Sequence, residues 1–553
     1  MERQHSHTRR PAPTNLLITV KRNFQPKPDV CLLLEGTYPY VSGGVSTWVH
    51  QIINALPEFQ FSLFFIGSEK AANLKFKYSL PPNIISVEEI YLHEAGHSRS
   101  ASNTAPKEAC ERLLAMIRAF LFEHPVGPAE TTAFLALTQE VIALARVTTF
   151  DAVWNHPGVW DLVCDIYEKH APQESFLDFF WAVRALCEPV WKVMSSADRV
   201  PPARMYHSLC TGYAGFAAGI ASNNYDSAYL LSEHGIYVRE RVAELQKARW
   251  ITDPPIIRPN LYRHPAMLRQ IWIEFFKLLG RFAYQTANYI TSLFENNART
   301  QIEFGADPRR IEIIPNGIHV PDFYQLRGKR RAQRQLNIGR KNVGFLGRVV
   351  QIKDVKTLLK CARLVINYLP DTQFLIAGPL DEEPEYAAEC QTLAQHLGLS
   401  DHVKFLGPQK PEDILIELDV MLLTSISEGL PFVILESYAA GIPLVSTDVG
   451  ACKELIEGRP DEKPAYGPGG FVVPVGNAEL LADALIRILT DPLLGDQMGD
   501  AGRQRVEVHY ARQTVVKRYR QLYQLTPKDF TRTGLVPLHR QSSSSVRLVT
   551  ETK

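Results

Sequence analysis

The chain predicts an α/β protein: two doubly wound, Rossmann-like parallel-sheet domains facing across a cleft, the first with a helical elaboration. Three observations carry this reading. Between about 340 and 500, the short apolar runs NVGFLGR, TQFLIAGP, HVKFLGP, DVMLLTSISEG and IPLVSTDVG alternate with stretches of helical spacing, the pattern of βαβ crossovers in a parallel sheet. From residue 29 the chain also runs through a strand, a glycine-rich loop, a helix and a second strand, one complete βαβ unit. Finally, 553 residues are too many for a single ordinary core.

Residues 1–28 are polar with several prolines and read as a disordered extension. DVCLLLEG (29–36) is an apolar run ending at Gly, as a buried parallel strand does. TYPYVSGG is turn-rich, VSTWVHQIINAL has helical spacing, and FQFSLFFIG (59–67) is the next strand. A Leu/Ala-rich helical insertion is expected over about 105–200, interrupted by FDAVWNH (150–156), which reads as a strand end. ARMYHSLC, TGYAGFAAGIA and SAYLLSEHG return to strand, helix, strand; ANYITSLFENN and RIEIIPNGIHV fit two more strands, the latter ending in an Asn-Gly loop. The first domain is thus placed at 29–285 and the second at 286–505. A helix over 506–525 is expected to pack back on the first domain, and the Ser-rich tail 526–553 reads as disordered. No short-period repeat is present. Facing crevices at the ends of two such sheets make a ligand cleft.

Bulk composition excludes several classes. Sixty Lys+Arg balance fifty-nine Asp+Glu, so the chain has no electrostatic footprint for nucleic acid. Eight scattered cysteines without a C-x-x-C pair suit a reduced compartment and buried thiols. No run reaches the ~18 apolar residues that span a bilayer, and the first residues lack the apolar core of a signal peptide. The expected location is cytoplasmic, with room for a peripheral place at the inner membrane.

The densest chemistry lies in SEGLPFVILESYAAGIPLVSTDVGACKELI (427–456). Glu436 falls inside an apolar helix; Glu428 sits in the turn before it, with Gly429 and Pro431. A helix start presents free N–H groups to phosphate, and a carboxylate beside it accepts hydrogen bonds from sugar hydroxyls. In GFLGRVVQIKDVKTLL (344–359), Arg348 and Lys353 occupy the loop between a strand and a helix, where two cations suit a diphosphate. Gly43 and Gly44 let backbone approach a phosphate or sugar. His234 and His207, near strand ends, read either as core histidines or as groups facing the cleft. Glu35 closes the first strand near an acceptor's expected place, and Arg239 and Arg241 read as surface charges, with contact to substrate anions as the alternative. HEAGH (93–97) matches the zinc-protease pattern H-E-x-x-H, but its flanks read as a strand and a loop, and no third ligand is evident. With no D-x-D at a strand end either, no metal and no cofactor are expected.

GRxxxxKD, the Glu-x7-Glu pair, and GxPLVSTDVG followed by Glu454 resemble the donor domain of retaining GT-B glycosyltransferases of family four. EGTYPYVSGGVSTWVHQII, HSLCTGYAG and SEHGIYVRER extend the resemblance to the PelF-like members, of Pel exopolysaccharide biosynthesis, with Ser232 where many relatives carry Thr. The resemblance implies a nucleotide-sugar site in which Arg348 and Lys353 bind the diphosphate, Glu428 the transferred sugar and Glu436 the ribose. It places Leu406 and Gly407 against the base, the amides of Gly429 and Leu430 on phosphate, and His234 at the reaction centre. It implies a UDP-sugar donor, a polysaccharide acceptor, inner-membrane synthase proteins as partners, and retention by front-face attack. Two alternatives remain open: a glycogen- or sucrose-synthase-like glucosyltransferase, and a catalytically silent nucleotide-sugar-binding scaffold.

Overall fold

The computed structural model of the chain describes residues 27–70, 75–93, 111, 128–146, 148–248, 251, 267–336, 339–459 and 462–532. The first sheet contains β1 (Val30–Glu35), β2 (Phe61–Gly67), β3 (Ile84–Tyr91), β4 (Met205–Ser208), β5 (Ala228–Glu233), β6 (Tyr289–Ser292) and β7 (Ile311–Ile313). They run in the order β3-β2-β1-β4-β5-β6-β7, every pairing parallel. These strands read as near-continuous apolar runs because both faces of the sheet are covered. From β1, Cys31 and Leu33 enter one core, with the helices Tyr213–Tyr225 and Met267–Thr286. Val30, Leu32 and Leu34 enter another, with Trp48 and Ile52 of the helix Gly44–Ala55 and with Tyr519 and Tyr523 of the helix Arg512–Tyr523. The period-two alternation of side chains is thus spent on two cores rather than on core and solvent. The expected helical insertion appears as Pro128–Ala145, Phe150–Trp154, Pro157–His170 and Phe176–Ser195, packed on the first of these cores.

The second sheet holds β8 (Lys341–Leu346), β9 (Thr372–Ala377), β10 (Val403–Gly407), β11 (Val420–Leu423), β12 (Leu444–Thr447) and β13 (Gly470–Val473), in the order β10-β9-β8-β11-β12-β13. Helices Val355–Tyr368 and Ala478–Thr490 cover one face; Phe432–Ala439, Cys452–Glu457 and Pro492–His509 cover the other. Strand order reverses between β1 and β4 in the first sheet and between β8 and β11 in the second, and ligands bind in the crevices at such switch points.

Four sequence expectations need correction. FDAVW is a helix, not a strand end: Thr149 accepts a hydrogen bond from the amide of Ala152, and Phe150, Val153 and Trp154 bury one face, so capping and i, i+3, i+4 spacing prevail. The first lobe extends past 285, because β6 and β7 bond onto β5. The second sheet has a sixth strand, β13, paired with β12 from Leu444↔Gly470 to Thr447↔Val473. The returning helix begins at Arg512, since Pro492–His509 belongs to the second lobe. At the crossing between lobes, the Ile318 amide donates to the Tyr510 carbonyl (3.0 Å) and the Arg512 amide to the Ile318 carbonyl (2.8 Å). Among the described residues no helix is long and apolar enough to cross a membrane.

Candidate active site

The loops after β1, β4, β5, β8 and β11 open into one cleft between the lobes, with a volume of about 970 Å³, within the range of ligand sites. Each comes from a strand–loop–helix step. The helix Phe432–Ala439 starts after Pro431 with no side-chain cap, leaving its first amides for a ligand, and Gly429 to Val433 line the cleft.

The loop before that helix is held on every side. The Thr424 hydroxyl donates to the Lys353 carbonyl (2.8 Å), the Thr447 hydroxyl to the Ser425 carbonyl (2.6 Å), the Ile426 amide to the Ile352 carbonyl (2.8 Å) and the Ala451 amide to the Gly429 carbonyl (2.9 Å). Gly450 adopts φ +54°, and a Cβ there would collide with the Glu428 and Gly429 carbonyls. This clamp presents Glu428, whose Oε1 accepts from Lys353 Nζ (2.5 Å) and the Ser425 hydroxyl (2.6 Å). The Lys353 and Glu428 side chains are 18% and 10% exposed, so solvent screens the pair little. Arg348 donates to Glu382 (2.6 Å) at a more open position.

On the first-lobe wall, His234 follows β5 and is buried against Trp48, ring centroids 4.8 Å apart. Burial lowers its pKa to about 4, so the imidazole is neutral at pH 7. Its Nε2 is buried with no hydrogen-bond partner. The His234 carbonyl lies against Gly429: a Cβ on that glycine would come within 2.7 Å of the oxygen. Asn316, after β7, donates from Nδ2 to the Leu430 carbonyl (3.2 Å) and leaves Oδ1 buried without a partner. Glu35 accepts from the Tyr237 hydroxyl (2.8 Å) and the Ala214 amide (3.2 Å).

The cleft therefore gathers Gly43, Gly44, His234, Arg348, Lys353, Glu428, Gly429 and Leu430. A Cβ on Gly43 or Gly44 would meet open space, so neither glycine is demanded by crowding. Leu406 and Gly407, at the end of β10, and Glu436, in the helix behind Glu428, stand outside the cleft lining. Burial, with Glu412 nearby, pushes the Glu436 carboxyl up to about 7. His207 is a core residue: its ring nitrogens bond the hydroxyls of Tyr523 and Ser232, both at 2.8 Å. Ser232 in turn bonds Thr291 at 2.6 Å. Arg239 is exposed, as expected, whereas Arg241 lines the cleft and is not a plain surface charge. Glu454 accepts from the Glu295 amide across the lobes (3.4 Å). His93 lines the cleft, while 94–97 of HEAGH lie outside the described residues. Sequence reasoning missed Asn316, although the Asn-Gly turn after a strand was a usable signal. It also missed the aromatic side chains of the first-lobe wall, whose spacing is that of any core helix.

Residues 28–309, just over half the chain, match the family described as "Domain of unknown function (DUF3492)". The chain belongs to the DUF3492 family. Residues 327–505 match the family "Glycosyl transferases group 1", which coincides with the second lobe. Among curated relatives, a D-inositol 3-phosphate glycosyltransferase of Corynebacterium urealyticum is 29% identical over 238 residues, 41% of this chain and 54% of that protein. An N-acetyl-alpha-D-glucosaminyl L-malate synthase of Bacillus anthracis is 29% identical over 174 residues, 31% of this chain and 42% of that protein. The chain thus spans about half the length of the curated relatives it matches. Among solved structures, sucrose-phosphate synthase from Thermosynechococcus elongatus superposes with TM-score 0.54 at 17% identity, covering 89% of this chain and 98% of that one. Anabaena Alr3699/HepE in complex with UDP and glucose superposes with TM-score 0.53 at 14% identity, covering 90% and 100%. The fold is GT-B: two Rossmann-like lobes with parallel sheets of seven and six strands.

Proposed function

We propose that this protein is a retaining glycosyltransferase that moves a hexosyl or N-acetylhexosaminyl unit from a UDP-sugar to a growing extracellular polysaccharide, as PelF-like enzymes do. One observation carries the reading: the shielded Lys353–Glu428 pair, 2.5 Å apart, lies beside an uncapped helix start at the end of a parallel sheet. A cation and free amides there suit a diphosphate, and the adjoining carboxylate suits the hydroxyls of the attached sugar. The group 1 domain and the HepE complexes with UDP, glucose and UDP-glucose support a uridine nucleotide sugar as donor.

In the proposed reaction, the bond from the anomeric carbon to the β-phosphate oxygen breaks. The acceptor hydroxyl oxygen bonds that carbon on the same face, and its proton passes to the departing phosphate. Lys353, Arg348 and the helix-start amides take up the charge on the leaving group, electrostatic stabilisation that needs no rearrangement at the moment of reaction. Neutral His234, which lines the cleft, stands beside the donor sugar. Closing the lobes excludes water, favouring transfer over hydrolysis. Under this reading the enzyme works in the cytoplasm with inner-membrane synthase proteins, Glu436 holds the ribose, and Leu406 and Gly407 approach the base as the lobe fills.

The test is a thermal-shift series with UDP, UDP-glucose, UDP-N-acetylglucosamine, ADP-glucose and GDP-mannose. A ligand at a hundred times its Kd stabilises by about 2.7 kcal/mol. Uridine nucleotides are expected to raise the midpoint, with UDP-sugars above UDP. Glu428→Ala should keep the UDP shift and lose the extra shift of the sugar. If no uridine nucleotide shifted the midpoint, the reading would fall.

A further inference from the structure

The first-lobe wall of the cleft is unlike the second. The half-buried Trp272 stacks on Phe276 (6.2 Å between centroids, 29° between planes), and Phe276 meets Tyr237 edge-on at 6.0 Å. The Arg241 guanidinium lies over the Tyr237 ring, 5.1 Å from its centroid. All four side chains line the cleft. Such a surface offers broad apolar faces with polar groups at their edges, the composition that takes up amphipathic rings.

Its charge settles what kind of ring. Among the described residues, the carboxylates Glu35 and Glu240 line this wall, and the cation beside them is Arg241, already paired with Glu244 at 2.8 Å. A phosphate or carboxylate here would face two like charges and one guanidinium that is already engaged, an arrangement that repels it. A sugar without a charge meets no such opposition, and its hydroxyls can donate to Glu35 and Glu240. Arg241, whose side chain is 40% exposed and lines the cleft, can donate from its guanidinium to a ring or hydroxyl oxygen.

Resting on the reading of the enzyme given above, in which the first lobe takes the acceptor, we infer that this wall selects an uncharged saccharide, stacked on Trp272 and held by Glu35, Glu240 and Arg241, against any phosphorylated acceptor. The donor's anion goes to the opposite wall, so the cleft separates the two substrates by charge.

The test uses the full-length protein with saturating UDP and follows saccharide binding by saturation-transfer NMR and tryptophan fluorescence. The probes are cellopentaose, maltopentaose, chitopentaose, glucose and glucose 6-phosphate. At least one pentasaccharide should bind, and glucose should bind better than glucose 6-phosphate. Trp272→Ala should weaken that pentasaccharide about tenfold, the loss expected for one aromatic face, with UDP affinity unchanged; Trp272→Phe should keep most of the binding. Preference for glucose 6-phosphate, no pentasaccharide bound, or equal affinity in Trp272→Ala would overturn the inference. UDP affinity on the same samples separates the two readings: UDP bound with saccharides ignored removes the acceptor site alone, whereas saccharides bound without UDP removes the transferase reading alone.

Discussion

The two walls of the cleft are made by the same strand–loop–helix step and are chemically opposite. The second-lobe wall meets a ligand with its cations already engaged: Lys353 on Glu428 and Arg348 on Glu382. The first-lobe wall meets it with buried polar atoms unmet: His234 Nε2, Arg241 Nε and Asn316 Oδ1. A pre-paired cation is held in place and loses little side-chain freedom on binding, but the ligand must draw it from its carboxylate. A buried polar atom without a partner costs stability. The first wall therefore carries its cost within its own packing, and the second gains only from a ligand that outcompetes a carboxylate, as a diphosphate does.

Three changes break or sharpen this contrast. The largest effect belongs to Lys353→Ala. It removes the engaged cation and should lower kcat/KM by about a hundred- to a thousandfold, the cost of one stabilising group on a developing anion, with an unchanged far-ultraviolet dichroism spectrum. Near-normal turnover would mean that the pair is structural. Next is Gly429→Ala, which acts where the walls touch. A Cβ within 2.7 Å of the His234 carbonyl meets backbone, so the lobes must part by a few tenths of an ångström. Steady-state kinetics should show kcat falling by roughly tenfold with the donor KM little changed, since the reacting groups are misplaced rather than removed. A wild-type kcat would show that this contact is not used in turnover.

The smallest effect is Glu436→Gln. The folded carboxyl, pushed up to about 7 by burial and Glu412, titrates above its unfolded value near 4.5. The folded state thus holds an extra proton between those values. The resulting stability is fully present below 4.5 and lost as pH rises through 7. If the ionised carboxylate holds the ribose, UDP affinity should rise by up to about tenfold from pH 6 to pH 8. In Glu436→Gln it should be weaker and flat, while the thermal midpoint at pH 8 goes up. Calorimetry at the two pH values decides, and a slope surviving in the variant would remove Glu436 from the ribose.

The contrast between walls also marks what the sequence made legible. The second-lobe wall could be read because its chemistry is local: Arg348, Lys353, Glu428 and Gly429 lie in two short loops, each next to a strand visible as an apolar run. On the first-lobe wall, Arg241 sits on one helix and Trp272 and Phe276 on another, and they look like ordinary surface or core residues until the sheet brings the two helices together. His207 was ambiguous for a related reason: its partners, Ser232 and Tyr523, are distant in sequence. Strands followed the same rule. β6 and β7 were recognised as strands but placed in the wrong lobe, because membership of a sheet is a tertiary fact. β13, GFVV between Gly and Pro, is too short to show a period and exists through its pairing with β12. FDAVW was misread because five residues fit either period, and the Thr149 cap decided.

The helix Arg512–Tyr523 gives the chain a definite order of assembly. Tyr519 and Tyr523 bond Ser232, Thr291 and His207 underneath the first sheet, and Leu522 and Tyr523 fill a core that begins with Val30. During synthesis, the strands at the start of the chain wait for residues near its end, made after the whole of the second lobe. The first lobe is therefore finished after the second although its strands are made earlier, and its open sheet face is the surface that a chaperone or a misfolded neighbour would meet.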